Sequence, residues 1–91
     1  MNIDTLFAII QSRKEEPREG SYTSKLFREG LPKIAQKVGE EGTEVVIAAL
    51  AQDDQRLIEE VADLTYHTLV LLAARGLTPA EVAAELEKRH K

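Results

Sequence analysis

Glu40-Glu-Gly-Thr-Glu-Val-Val-Ile-Ala-Ala-Leu-Ala51 decides how this chain folds, because its second half offers a helix no polar face. From Val45 to Ala51 every residue is apolar, and Leu69-Val-Leu-Leu-Ala-Ala74 does the same later in the chain. Helices apolar all round are buried all round. An acidic pair precedes each run: Glu41 with Glu44, and Glu60 with Asp63. Residues three apart leave one side of a helix, so each pair aims two carboxylates the same way. Glu40 doubles the first pair and Glu59 flanks the second. Like charges at this spacing repel, and carboxylates beside apolar turns are costly without a positive partner. A hard divalent cation is the simplest such partner.

The flanking sequence supplies more helices and no strand. Ile3, Leu6, Phe7 and Ile10 follow the i, i+3, i+4, i+7 pattern, which predicts a first helix over residues 3–12. Residues 13–23 hold Pro17, Gly20 and Ser21 and read as a loop, with a short helical piece over 24–29 before Gly30. Pro32 suits a first helical turn and opens a helix to about residue 52, with Ile34, Val38, Val45 and Ala49 as its apolar stripe. Lys37, Glu40, Glu41 and Glu44 fall on the adjacent face. Asp53 or Asp54 can cap a third long helix that stops at Gly76. Thr78-Pro-Ala-Glu81 is a capping box, predicting a last helix to about Arg89. No segment alternates with period two. The expectation is an all-α single domain over residues 1–91 with four main helices. Its two all-round apolar runs need a second copy, so a homodimer should complete a four-helix core.

Composition narrows the function. With no cysteine, the chain has neither disulfides nor a thiolate zinc site. The longest apolar run is seven residues, far short of the ~20 that span a bilayer. The N-terminus reads as lacking a signal peptide, which points to the cytoplasm. A net charge of −4 argues against nonspecific nucleic-acid binding. Seven of the twelve Lys and Arg residues nevertheless lie between Arg13 and Lys37, just before the acids. That layout is either ordinary surface mixing or a place where a polyanion and its metal ions meet.

Every obvious ligand is an oxygen, which favours Mg²⁺, Mn²⁺ or Ca²⁺ over zinc or copper. His67 shares a face with Glu60 and Asp63 and reads as a hydrogen-bonded core residue rather than a ligand. The bland alternative for the cluster is a pair of solvated faces with pairs such as Lys37–Glu41 and Arg56–Glu60. Mg²⁺ completes its shell with substrate phosphates, so carboxylates on two facing helices suit phosphoanhydride hydrolysis. No P-loop and no nucleophile elbow is present.

Glu40-Glu-Gly-Thr-Glu44 followed by Glu60-Val-Ala-Asp63 resembles the Glu-Glu-x-x-Glu … Glu-x-x-Asp signature of the MazG-like all-α nucleoside-triphosphate pyrophosphohydrolases. Ser21-Tyr-Thr-Ser-Lys-Leu26, Lys37-Val-Gly-Glu-Glu41 and the Tyr66-His67 stretch are similar, more narrowly, to the phosphoribosyl-ATP pyrophosphohydrolases of histidine biosynthesis. The likeness covers essentially the whole chain. It implies Mg²⁺-dependent hydrolysis of phosphoribosyl-ATP to phosphoribosyl-AMP and pyrophosphate, with Mn²⁺ as a substitute ion. It further implies Glu41, Glu44, Glu60 and Asp63 as metal ligands and Glu40 as an additional ligand, a supporting group or a contributor to water activation. Many such proteins are fused to the cyclohydrolase that acts next.

Around that centre, Lys37 is a candidate for stabilising the leaving group, or simply an ion-pair partner of Glu41. Lys25, Arg13 and Arg28, with Lys14 and Arg18, are candidates for the substrate's phosphates. Tyr22 either stacks on the base or packs. Two other readings stay open: a house-cleaning pyrophosphohydrolase with the same metal site and a different base pocket, and a non-enzymatic helical dimer.

Overall fold

Single residues place most of the helix boundaries. The computed structural model describes residues 1–90, which form α1 (Ile3–Glu15), α2 (Tyr22–Glu29), α3 (Leu31–Ala51), α4 (Asp54–Ala74) and α5 (Pro79–Arg89). No strand occurs among the described residues. Asn2, Ser21, Asp53 and Thr78 each accept a backbone N–H of the first turn that follows, supplying partners that a helix start otherwise lacks. Of the two aspartates available at the third long helix, Asp53 is the cap. At the end of α4 the N–H of Leu77 reaches Leu72 O and that of Gly76 reaches Ala73 O. This is a Schellman ending, and it needs the positive φ of 72° that Gly76 provides. Gly30, at φ 96°, ends α2 and begins α3 within one residue, a corner that a Cβ would strain.

Two expectations need correction here. The first helix runs a turn further than predicted, to Glu15, and the short piece is a full eight-residue helix capped by Ser21. The described residues thus hold the four main helices expected together with the short one, which the Ser21-x-x-Ser24 cap starts earlier than the loop residues suggest. The buried stripe of α3 also differs. It comprises Ile34, Glu41 and Ala48, spaced by seven, while Ala49 is exposed. The acids are thus part of the inner stripe rather than beside it.

α3 and α4 form a long antiparallel hairpin, and α1 crosses the end of α4 remote from the turn. There Ile10, Leu26, Ile34, Leu69, Val70 and Ala73 make the core, with Leu6, Phe7, Phe27 and Tyr66 packed around it. In the run Leu69–Ala74, Leu69, Val70 and Ala73 are thus buried within the chain's own core, while Leu71, Leu72 and Ala74 are partly buried. The run Val45–Ala51 behaves differently: Val46, Ile47 and Leu50 remain 56, 50 and 83 % exposed. Ile58 and Val61 of α4 are exposed as well. No described helix is long and apolar enough to cross a membrane.

Candidate metal centre

The hairpin register assembles the acids. Counting outward from the Gln52-Asp53 turn, Glu44 and Glu60 stand at nearly equal distance from it, and so do Glu41 and Asp63. Two antiparallel helices joined by a short turn must bring such positions level. One carboxylate oxygen from each of Glu41, Glu60 and Asp63 lies within 4.8 Å of the others. Glu41 and Glu60 are only 6 and 5 % exposed, whereas Asp63 opens to solvent. Glu44 stands beside them. The carboxyls of Glu41 and Glu60 push its pKa up to about 7, with a smaller push from burial.

Each buried carboxylate is half neutralised from its own helix. Lys37 Nζ sits 3.4 Å from Glu41 Oε1, and Arg56, also four residues upstream, donates to Glu60 Oε1. The pairs anticipated as ordinary surface charge mixing therefore exist, but their acids are buried. The second oxygens, Glu41 Oε2 and Glu60 Oε2, are buried with no hydrogen-bond partner. Leaving such an atom unpartnered costs on the order of 1–3 kcal/mol, more when it is charged. Four crowded carboxyls, two with unanswered oxygens, form a hard-oxygen donor set that fits a divalent cation of the Mg²⁺ or Mn²⁺ kind.

The remaining candidates fall around this cluster. Glu40 is exposed and outside it, accepting from Gln36 Nε2 at 2.8 Å and lying 3.4 Å from Lys37 Nζ. Those two partners hold its carboxyl below the usual range. Lys37 loses some proton affinity to burial, but Glu40, Tyr22 and Glu41 more than offset this and keep it firmly charged. Glu59 is a surface residue bound to Arg56 and Gln55. Lys25 is exposed and makes only a long 3.9 Å contact with Glu29. Arg13 donates to its neighbour Ser12. Arg28 lines a separate cavity with Lys14.

Tyr22, at the start of α2, is tied to α4. Its hydroxyl is 3.0 Å from His67 Nε2, while His67 Nδ1 is 2.8 Å from the carbonyl oxygen of Asp63. A carbonyl can only accept, so Nδ1 carries a proton and Nε2 pairs with the Tyr22 hydroxyl. The Tyr22 ring also stacks on Tyr66 with centroids 6.2 Å apart, and Thr23 bonds the Tyr66 hydroxyl. His67 thus braces the backbone of Asp63, in keeping with its reading as a hydrogen-bonded core residue. Arg56 stands to Glu60 as Lys37 stands to Glu41, four residues upstream on the same helix.

Comparison with known proteins places the chain in a family. The family described as phosphoribosyl-ATP pyrophosphohydrolase matches residues 3–90. The chain is 52 % identical to the phosphoribosyl-ATP pyrophosphatase of Sulfurisphaera tokodaii over 98 % of its own length and 95 % of the relative's. It is 55 % identical to that of Listeria welshimeri, covering 96 % of this chain and 84 % of the other. The histidine biosynthesis bifunctional protein HisIE of Xanthomonas axonopodis is 52 % identical over 98 % of this chain and 43 % of the larger protein.

Proposed function

The chain belongs to the phosphoribosyl-ATP pyrophosphohydrolase family, and from that premise we infer that it hydrolyses phosphoribosyl-ATP to phosphoribosyl-AMP and pyrophosphate, a step of histidine biosynthesis. It is a hydrolase acting on a phosphoanhydride. The observation that carries the chemistry is the cluster of Glu41, Glu60 and Asp63, with unpartnered buried oxygens on the two glutamates.

Glu41, Glu44, Glu60 and Asp63 would hold Mg²⁺, with Mn²⁺ as substitute. Such an ion neutralises phosphate charge and lowers the pKa of an attacking water. The residues of the chain do the positioning. Water attacks the α-phosphorus, the bond to the bridging oxygen breaks, and pyrophosphate leaves. Lys37, fixed between Glu40 and Glu41 at the edge of the cluster, is placed to meet charge developing on the leaving oxygens. Glu40 contributes to catalysis by orienting that ammonium. Tyr22 and Lys25 share one face of α2 and border the substrate, Tyr22 toward the base and Lys25 toward phosphate. Arg13 and Arg28 serve its more distant anionic groups.

The active form is a homodimer. A patch containing Val46, Ile47, Leu50, Ile58 and Val61 is too apolar to stay in water, and pairing two hairpins would produce the four-helix core. We place such an enzyme in the cytoplasm.

The test is pyrophosphate release from phosphoribosyl-ATP, ATP and dCTP, each with Mg²⁺ or EDTA. Turnover of phosphoribosyl-ATP that far exceeds the other two and vanishes in EDTA is expected. Faster turnover of ATP or dCTP would move the protein to the house-cleaning class.

A further inference from the structure

Away from the acids, α1, α2, α3 and α4 enclose a cavity of about 480 Å³, within the ~300–1,000 Å³ range of small-molecule sites. Lys14 and Arg28 line it, together with apolar surface from Phe27, Leu31 and Ile34. Neither cation has a carboxylate within ion-pair distance among the described residues, whereas Lys25, Lys37, Arg56 and Arg89 all do. Lys14 Nζ instead donates to the carbonyl oxygen of Ala73 at 2.7 Å, beside the cavity wall at Ala74. An ammonium has three donors, so two stay free, and a carbonyl does not cancel its charge. Two uncancelled cations at one concave, partly apolar site call for an anion that carries some carbon surface.

Along both α2 and α3 the cavity lies about two turns from the acidic cluster. Ile34 in its wall and Glu41 in the cluster are seven residues apart on the buried stripe of α3, about 10 Å along the axis. On α2, Tyr22 beside the acids and Arg28 at the cavity are six residues apart, about 9 Å. A nucleoside can bridge that separation. Phosphoribosyl-ATP differs from an ordinary nucleoside triphosphate in having a second phosphorylated end, a ribose 5-phosphate on its base.

We propose that the Lys14–Arg28 cavity is the subsite for this phosphoribosyl group. Arg28 grips the 5-phosphate, Lys14 adds charge from the α4 side, and the apolar wall receives the sugar. This assignment rests on the reading of phosphoribosyl-ATP as substrate. It makes the cavity the device that separates the substrate from ATP, since a plain triphosphate reaches the acids and leaves the cavity empty.

The experiment measures kcat/KM for phosphoribosyl-ATP and for ATP in wild type, Arg28→Ala, Arg28→Glu and Lys14→Met. Calorimetric binding of phosphoribosyl-AMP and of AMP in EDTA is measured alongside. Losing a charge-assisted phosphate contact predicts at least about a tenfold fall in the preference for phosphoribosyl-ATP over ATP. The glutamate variant should be worse than alanine, and phosphoribosyl-AMP affinity should weaken relative to AMP. Because Lys14 also caps α4, Arg28 is the deciding position. Wild-type preference and unchanged phosphoribosyl-AMP binding in both folded Arg28 variants would overturn the subsite. A wild type with no preference for phosphoribosyl-ATP would instead overturn the substrate reading beneath it.

Discussion

Glu44 concentrates the physics of the site at the scale of one residue. Crowding by Glu41 and Glu60 lifts its carboxyl to about 7, so the folded protein without metal holds a proton that the unfolded chain releases near pH 4.5. A group with a raised folded pKa contributes stability at low pH that is lost as pH rises through its folded value. Metal-free protein should therefore melt at progressively lower temperature from about pH 5 to about pH 7.5, and Glu44→Gln should flatten that trend. Cation affinity should rise over the same range, because proton and metal compete for one carboxylate. Calorimetric scans and titrations with and without Mg²⁺ measure both. Glu44→Gln and Asp63→Asn should each lower turnover at least about a hundredfold with helical content intact. Retained activity in both would mean that the ligand set is wrong.

Among the elements, α2 depends most on a few polar bonds. It is eight residues long, too short to persist alone, and is held by the Ser21 cap, buried Leu26 and the Tyr22–His67 bond. Tyr22→Phe leaves Nε2 of a buried histidine without its partner and should cost about 1–2 kcal/mol in denaturant unfolding. A change of less than a few tenths would show that water replaces the hydroxyl. The contrast with α3 and α4 is instructive. Both long helices were legible from apolar spacing, Pro32, the aspartate cap and Gly76. The extent of α2 was not, because its cap lies in a stretch rich in turn residues and its apolar content is small.

At the scale of the whole molecule, one chain looks incomplete. Its radius of gyration is 14.1 Å, against roughly 12 Å for a compact domain of this length. The excess fits a hairpin that extends beyond the α1–α4 core and keeps Leu50 83 % exposed. Leu50→Glu should leave a single chain's fold intact, since nothing packs on that side chain within it, yet shift sedimentation from dimer to monomer. A wild type that sediments as a monomer at micromolar concentration would remove the dimer outright.

Local sequence by itself determined the helical class, both long helices, their caps and the two acidic pairs, since all of these follow from spacing along one helix. The level placement of Glu41 with Asp63 and of Glu44 with Glu60 was also implicit, given a short turn between the helices. Only the tertiary structure decided which acids are buried, that Glu41 and Glu60 each keep an unanswered oxygen, and that Glu40 lies outside. Those depend on how far α3 and α4 rotate toward each other, which packing sets and one helix's periodicity does not. The same holds for the Lys14–Arg28 cavity, whose walls come from four helices and whose charges stand fourteen residues apart in the chain.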